Sequence, residues 1–120
     1  MQMRDLFPMR AAAALAAASA AALVGGLGAA ADAPPALATR IENHRFAPAE
    51  IRVPANTPVM LTVTNADKTP EEFDSPALKV EKVVAGGTSG VVRLRPLRPG
   101  QYPFTGEYHA DTAHGVVIAQ

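Results

Sequence analysis

Seven prolines, Pro54, Pro58, Pro70, Pro76, Pro96, Pro99 and Pro103, interrupt the chain between residues 54 and 103. Proline inside a helix removes a backbone donor and clashes with the carbonyl four residues back, so no helix of ordinary length fits between these positions. Short β-type runs fill the gaps instead. Val59, Leu61 and Val63 alternate with Met60, Thr62 and Thr64, the pattern of a half-buried strand, which ends at the turn signal Asn65-Ala66-Asp67. Further runs cover 78–84, 91–94, 102–104 and 116–119, with Gly86-Gly87 read as a hairpin turn and Pro99-Gly100 as another turn. Strands at this spacing predict an all-β antiparallel sandwich of about seven strands. The expected core is Val59, Leu61, Val63, Val92, Leu94, Tyr102, Phe104 and Ile118. Met60 is expected on the outer face of its strand.

The first 31 residues have the form of an export signal. Arg4 and Arg10 give a positive start, Ala11 to Leu27 an apolar stretch of small residues, and Ala29-Ala30-Ala31 an A-x-A cleavage site. Cleavage after Ala31 leaves Asp32 to Gln120, with 32–38 as a short proline-containing leader and 39–120 as one domain. The expected location is the periplasm, with no membrane insertion after cleavage.

The chain has 11 Lys and Arg against 11 Asp and Glu. Removing the signal takes Arg4, Arg10 and Asp5, leaving nine basic against ten acidic residues, a charge near −1, and no electrostatic footprint for nucleic acid. Cysteine is absent, although an oxidising compartment would allow disulfides. Ser19, Ser75 and Ser89 lack the G-x-S-x-G context of an esterase nucleophile, and no glycine-rich loop leads into a helix.

The stretch YPFTGEYHADTAHG, residues 102–115, collects Glu107, His109, Asp111 and His114 in one loop. An acidic segment, Glu71-Glu72-Phe73-Asp74, precedes it. Carboxylate and imidazole donors suit Cu(II), iron or zinc and disfavour Cu(I). A solvated acidic loop is the plainer reading of Glu71, Glu72 and Asp74. His44 reads as a surface residue.

In the order RFAPAEIRVPANTPVMLTVTN, EEFDSPALKVEKVVAGG, RPLRPGQYPF and GEYHADTAHGVV, the chain resembles the cupredoxins, Greek-key sandwiches. Within them it is similar to the periplasmic cupredoxin-like domains associated with bacterial iron uptake. The resemblance sets Glu71 at the upstream histidine ligand of a blue copper site. It sets Gly106 at the cysteine, His109 at the second histidine and Ala113 at the methionine. One of four blue-copper ligands therefore survives, and without a thiolate no blue copper centre can form.

The resemblance implies a metal site of Glu71, Glu107, His109 and His114, holding a copper or iron ion, with Glu72 and Asp74 close by. It implies a protein that assists iron import by oxidising or handing over ferrous iron. Its partners would be a second periplasmic metal-binding protein and a membrane iron permease. The alternative is a non-redox copper or iron chaperone, or a metal-free interaction module. Truncating Glu71 or His109 is expected to cost metal affinity while sparing the fold. Relief of repulsion between Glu71 and Glu107 would even stabilise the metal-free protein slightly.

Overall fold

The computed structural model describes residues 34–120; the expected signal segment and its cleavage site lie outside them. Nine strands form among the described residues: β1 (Ala36–Glu42), β2 (Arg45–Ala47), β3 (Glu50–Val53), β4 (Val59–Asn65), β5 (Glu71–Ser75), β6 (Val80–Val84), β7 (Ser89–Leu94), β8 (Gly100–Gly106) and β9 (His114–Ala119). They make two sheets, ordered β2-β1-β4-β7 and β3-β9-β8-β5-β6. Most pairs are antiparallel, whereas β1 runs parallel to β4 and β3 parallel to β9. Among the described residues, helical structure is limited to a single 3-10 turn over Glu107–His109. No helix among the described residues is long and apolar enough to cross a membrane.

β4 shows how the sequence pattern becomes packing. Val59, Leu61, Val63 and Asn65 all face inward and are buried, while Met60, Thr62 and Thr64 are half-buried on the other face. Burying one Val or Leu side chain contributes about 1.5–3 kcal/mol, so this alternation sets the strand's phase. Three aromatic rings anchor the interior beneath the loop pole. Phe73 and Phe104 stack with centroids 4.6 Å apart, and Phe46 meets Phe104 edge-on at 4.9 Å.

Several expectations change. β1 begins at Ala36, so the last three residues of the expected leader pair with β4. Ile118 is only half-buried, and Val117 and Ala119 face the core in its place. The cause is the β8–β9 register, in which Phe104 lies opposite Gly115 and Tyr102 opposite Val117. Paired residues share a face, so the inward Phe104 forces 115, 117 and 119 inward. Tyr102 packs at the edge of the core, with its hydroxyl donating to the Arg98 carbonyl at 2.7 Å. Gly86-Gly87 is not a hairpin within one sheet: it carries the chain from β6 in one sheet to β7 in the other. The Gly87 N–H donates to the Asn65 and Asp67 carbonyls there.

Candidate metal centre

β5 alternates like β4, with Glu71, Phe73 and Ser75 inward and Glu72 and Asp74 outward. That phase places a carboxylate in the sandwich interior, where Glu71 is 1% exposed. A buried carboxylate requires several donors, and Glu71 has them. Its Oε1 accepts the N–H groups of Tyr108 (2.9 Å) and Glu72 (3.0 Å). Its Oε2 lies 2.7 Å from Nδ1 of His109. The 3-10 turn after β8 delivers both the Tyr108 N–H and the His109 ring, so two segments 38 positions apart close on one carboxylate.

The glycine before this turn explains the fit. A Cβ built on Gly106 would stand 2.7 Å from the Glu71 carboxyl carbon and 2.7 Å from the Ala113 Cβ. The Glu71 carboxylate thus fills the space beside residue 106. Ala113, fully buried, closes the same loop by accepting the Gly106 N–H at its carbonyl.

A third loop joins the pole. The His44 ring stacks on that of His109, with centroids 3.6 Å apart and planes 11° from parallel. The sequence reading had His44 as a surface residue; it is half-buried and part of the site. The available signal was Asn43-His44 itself. Both residues adopt left-handed backbone, φ 55° and 56°, a conformation in which Asn and His are enriched. Asp67 holds this turn, its two oxygens accepting the N–H groups of Asn43 (2.8 Å) and His44 (2.9 Å). Asn65, fully buried, in turn accepts the Asp67 N–H and donates to the Thr69 and Val84 carbonyls.

The His44 N–H bond, aided by the Asn43 N–H and the nearby imidazoles and opposed by desolvation, holds the Asp67 carboxyl below its ordinary value of 3.8. A lowered folded-state value means that Asp67 contributes stability above the unfolded value and loses it as pH falls through the folded one. Asp67→Asn is therefore expected to cost about 1.5–3 kcal/mol at neutral pH, the scale of hydrogen bonds to charged groups. It is also expected to flatten the loss of stability below pH 3.8. Thermal melts of both proteins from pH 7 to pH 2 measure this, and parallel acid limbs would contradict it.

The other expected ligands lie elsewhere. Glu107 is exposed, and neither it nor His114 takes part in the bonds of Glu71 and His109. The His114 Nε2 instead donates to the Asp111 carbonyl at 3.2 Å. Glu72 and Asp74 face away from Glu71 on the outer side of the sheet. There desolvation, and after it the charges of Glu81, Asp74, Glu107 and Glu71, push the Glu72 carboxyl up.

These residues decide which metals fit. A copper–thiolate centre does not, since cysteine is absent and the carboxylate occupies the space beside Gly106. Among the described residues, no three His, Asp or Glu side chains converge as a ready-made cage. The stacked imidazoles cannot supply one, because in-plane lone pairs of parallel rings do not aim at a common point. What fits is a two-donor site, Glu71 Oε2 and His109 Nδ1. Donors about 2.0–2.2 Å from one ion lie roughly 3 Å apart, a small opening from the observed 2.7 Å.

The cupredoxin-like domain family model matches residues 10–119. An uncharacterized protein of Rickettsia prowazekii (strain Madrid E) is 44% identical over 78 residues, covering 65% of this chain and 62% of that one. The chain thus spans about three-fifths of that relative's length. Among solved structures, the metal-binding domain of the Cu(I)-exporting P-type ATPase CopA of Streptococcus pneumoniae D39, with Cu(I), superposes with a TM-score of 0.64 at 16% identity. That alignment covers 71% of this chain and 84% of the other. Auracyanin B superposes with a TM-score of 0.57 at 20% identity, over 74% and 91% of the two chains. Both likenesses are of fold. Since the family match runs from before the first strand into the last, the chain belongs to the cupredoxin-like domain family.

Proposed function

We propose that this protein is an exported metal-binding cupredoxin-like domain that holds Cu(II), or iron, between Glu71 and His109. The observation that carries the reading is a 1% exposed carboxylate set 2.7 Å from an imidazole nitrogen. Glu71 supplies the negative charge and a hard oxygen donor, and His109 a borderline nitrogen, a set that favours Cu(II) and Fe(III) over Cu(I). The backbone N–H groups of Tyr108 and Glu72 fix the carboxylate, so the donors stay in place as charge changes. The His109 side chain is 25% exposed, which leaves a route to solvent or a partner for the remaining coordination. Bound Cu(II) supplies a one-electron acceptor for ferrous iron.

In the wider proposal the domain works in the periplasm beside a second metal-binding protein and a membrane iron permease, oxidising or handing over ferrous iron. The signal-like first 31 residues and the likeness to iron-uptake cupredoxins support that setting. A second reading is favoured by the packing around Gly106, where the Glu71 carboxylate fills the space and bonds the His109 loop directly. On that reading the domain is a metal-free interaction module.

Titration of the purified protein with Cu(II) and Fe(II), followed by oxygen-dependent loss of Fe(II), separates the two. The expected result is one Cu(II) per chain, bound without the intense red-end absorption of a copper thiolate. Absence of binding by either ion would sink the metal reading and leave the interaction module.

A further inference from the structure

We propose that His44 is the positioning residue of the Glu71–His109 pair, an aromatic platform that sets the plane of the His109 ring. The affinity arm of its test rests on the metal reading above; the structural arm does not. A ring tethered by one hydrogen bond at Nδ1 can still rotate about that bond. Stacking at 3.6 Å and 11° removes the rotation and turns the Nδ1–H of the metal-free ring onto Glu71 Oε2.

The platform is itself held on every side. Asp67 bonds the N–H groups of Asn43 and His44, and the Thr112 hydroxyl donates to the His44 carbonyl at 2.6 Å. Thr112 belongs to the loop that carries His109 and donates its own N–H to the His109 carbonyl. The β1–β2 turn and the His109 loop are thus bonded through backbone as well as through stacked rings. Two successive non-glycine residues in left-handed conformation are unfavourable for the backbone, and such strain persists where surrounding structure over-determines it. By contrast, the His44 ring nitrogens make no hydrogen bond among the described residues, and Asp67 Oδ2 stands 4.0 Å from Nε2. The construction fixes where the ring lies and leaves its nitrogens almost unused, as expected of a platform and not of a donor.

The test compares His44→Ala with His44→Phe, which keeps an aromatic face and loses both nitrogens. Imidazole NMR of the metal-free proteins reads the ring directly. The His109 ring protons should be shifted upfield by the neighbouring ring current in the wild type and in His44→Phe, and should lose that shift in His44→Ala. Competition with a chromogenic Cu(II) chelator reads the consequence. Affinity should fall about tenfold in His44→Ala, the scale seen when an orienting neighbour of a ligand is removed, and should largely recover in His44→Phe. Unchanged His109 resonances in His44→Ala would overturn the proposal. So would equal loss of affinity in both variants, which would make His44 a donor. Equal Cu(II) binding by the wild type and Glu71→Gln would remove the metal reading alone, and the metal-free spectra would still decide the role of His44.

Discussion

Glu71→Ala is expected to destabilise the metal-free domain by about 2–4 kcal/mol and to abolish tight Cu(II) binding. This reverses the expectation, drawn from charge repulsion, that the truncation would spare or slightly stabilise the fold. Glu107, the supposed repelling partner, is exposed, whereas Glu71 satisfies two backbone N–H groups and an imidazole from the interior. Each orphaned buried donor costs about 1–3 kcal/mol. Water entering at the partly exposed His109 edge offsets some of that, which sets the lower bound. Glu71→Gln is the informative companion. One amide oxygen can still accept from Tyr108 and Glu72, so the loss of stability should shrink to about 1 kcal/mol. The negative donor is nevertheless gone, and Cu(II) affinity should fall at least tenfold. Urea unfolding of the three proteins together with chelator competition gives both quantities. Wild-type stability in Glu71→Ala would show that the carboxylate is dispensable to the fold, and wild-type affinity in Glu71→Gln would show that it is no ligand.

Gly115→Ala should be at least as damaging, at about 3 kcal/mol or more, although residue 115 touches neither Glu71 nor His109 in any bond described above. Gly115 lies opposite Phe104 in the β8–β9 ladder, and a Cβ there would enter the Phe104 ring at Cζ and Cε1. It would also stand 2.7 Å from the Ala49 carbonyl oxygen, a backbone atom that cannot rotate away. Overpacking of this kind costs typically 1–3 kcal/mol and sometimes more. Phe104 has little room to yield, being stacked on Phe73 and met edge-on by Phe46. Shrinking the ring should therefore rescue the variant in part. Gly115→Ala combined with Phe104→Leu is expected to be more stable than the sum of the two single losses predicts, the signature of coupled neighbours. Strict additivity in that cycle would place the cost of the methyl group elsewhere.

The sequence by itself determined the fold class and the exclusion of a blue copper centre. Proline spacing removes helices and period-two burial defines β4, and both are local properties of the chain. The absence of cysteine is a matter of composition, which no packing can alter. The last strand was legible only as a strand. Val116 to Ala119 is apolar at every position, so alternation could not choose between Ile118 and Val117, and the pairing of Phe104 with Gly115 made the choice.

The site divides in the same way. The phase of β5 buries Glu71 and turns Glu72 and Asp74 outward, and only the β5–β6 and β5–β8 pairings reveal that phase in a segment where three of four residues are acidic. His109 was legible from its loop, but Glu107 and His114 share that loop, are exposed and make no bond to Glu71 or His109. A 3-10 turn and a strand register decide where each side chain goes, and residue type does not. For His44 the letters signalled at most a turn at Asn43-His44, and its place in the site was beyond them. Its contact with His109 bridges a distant pair of loops and depends on the left-handed turn, the Asp67 clamp and the Thr112 hydroxyl together. Long-range geometry of that kind exists only once the two sheets have closed on one another.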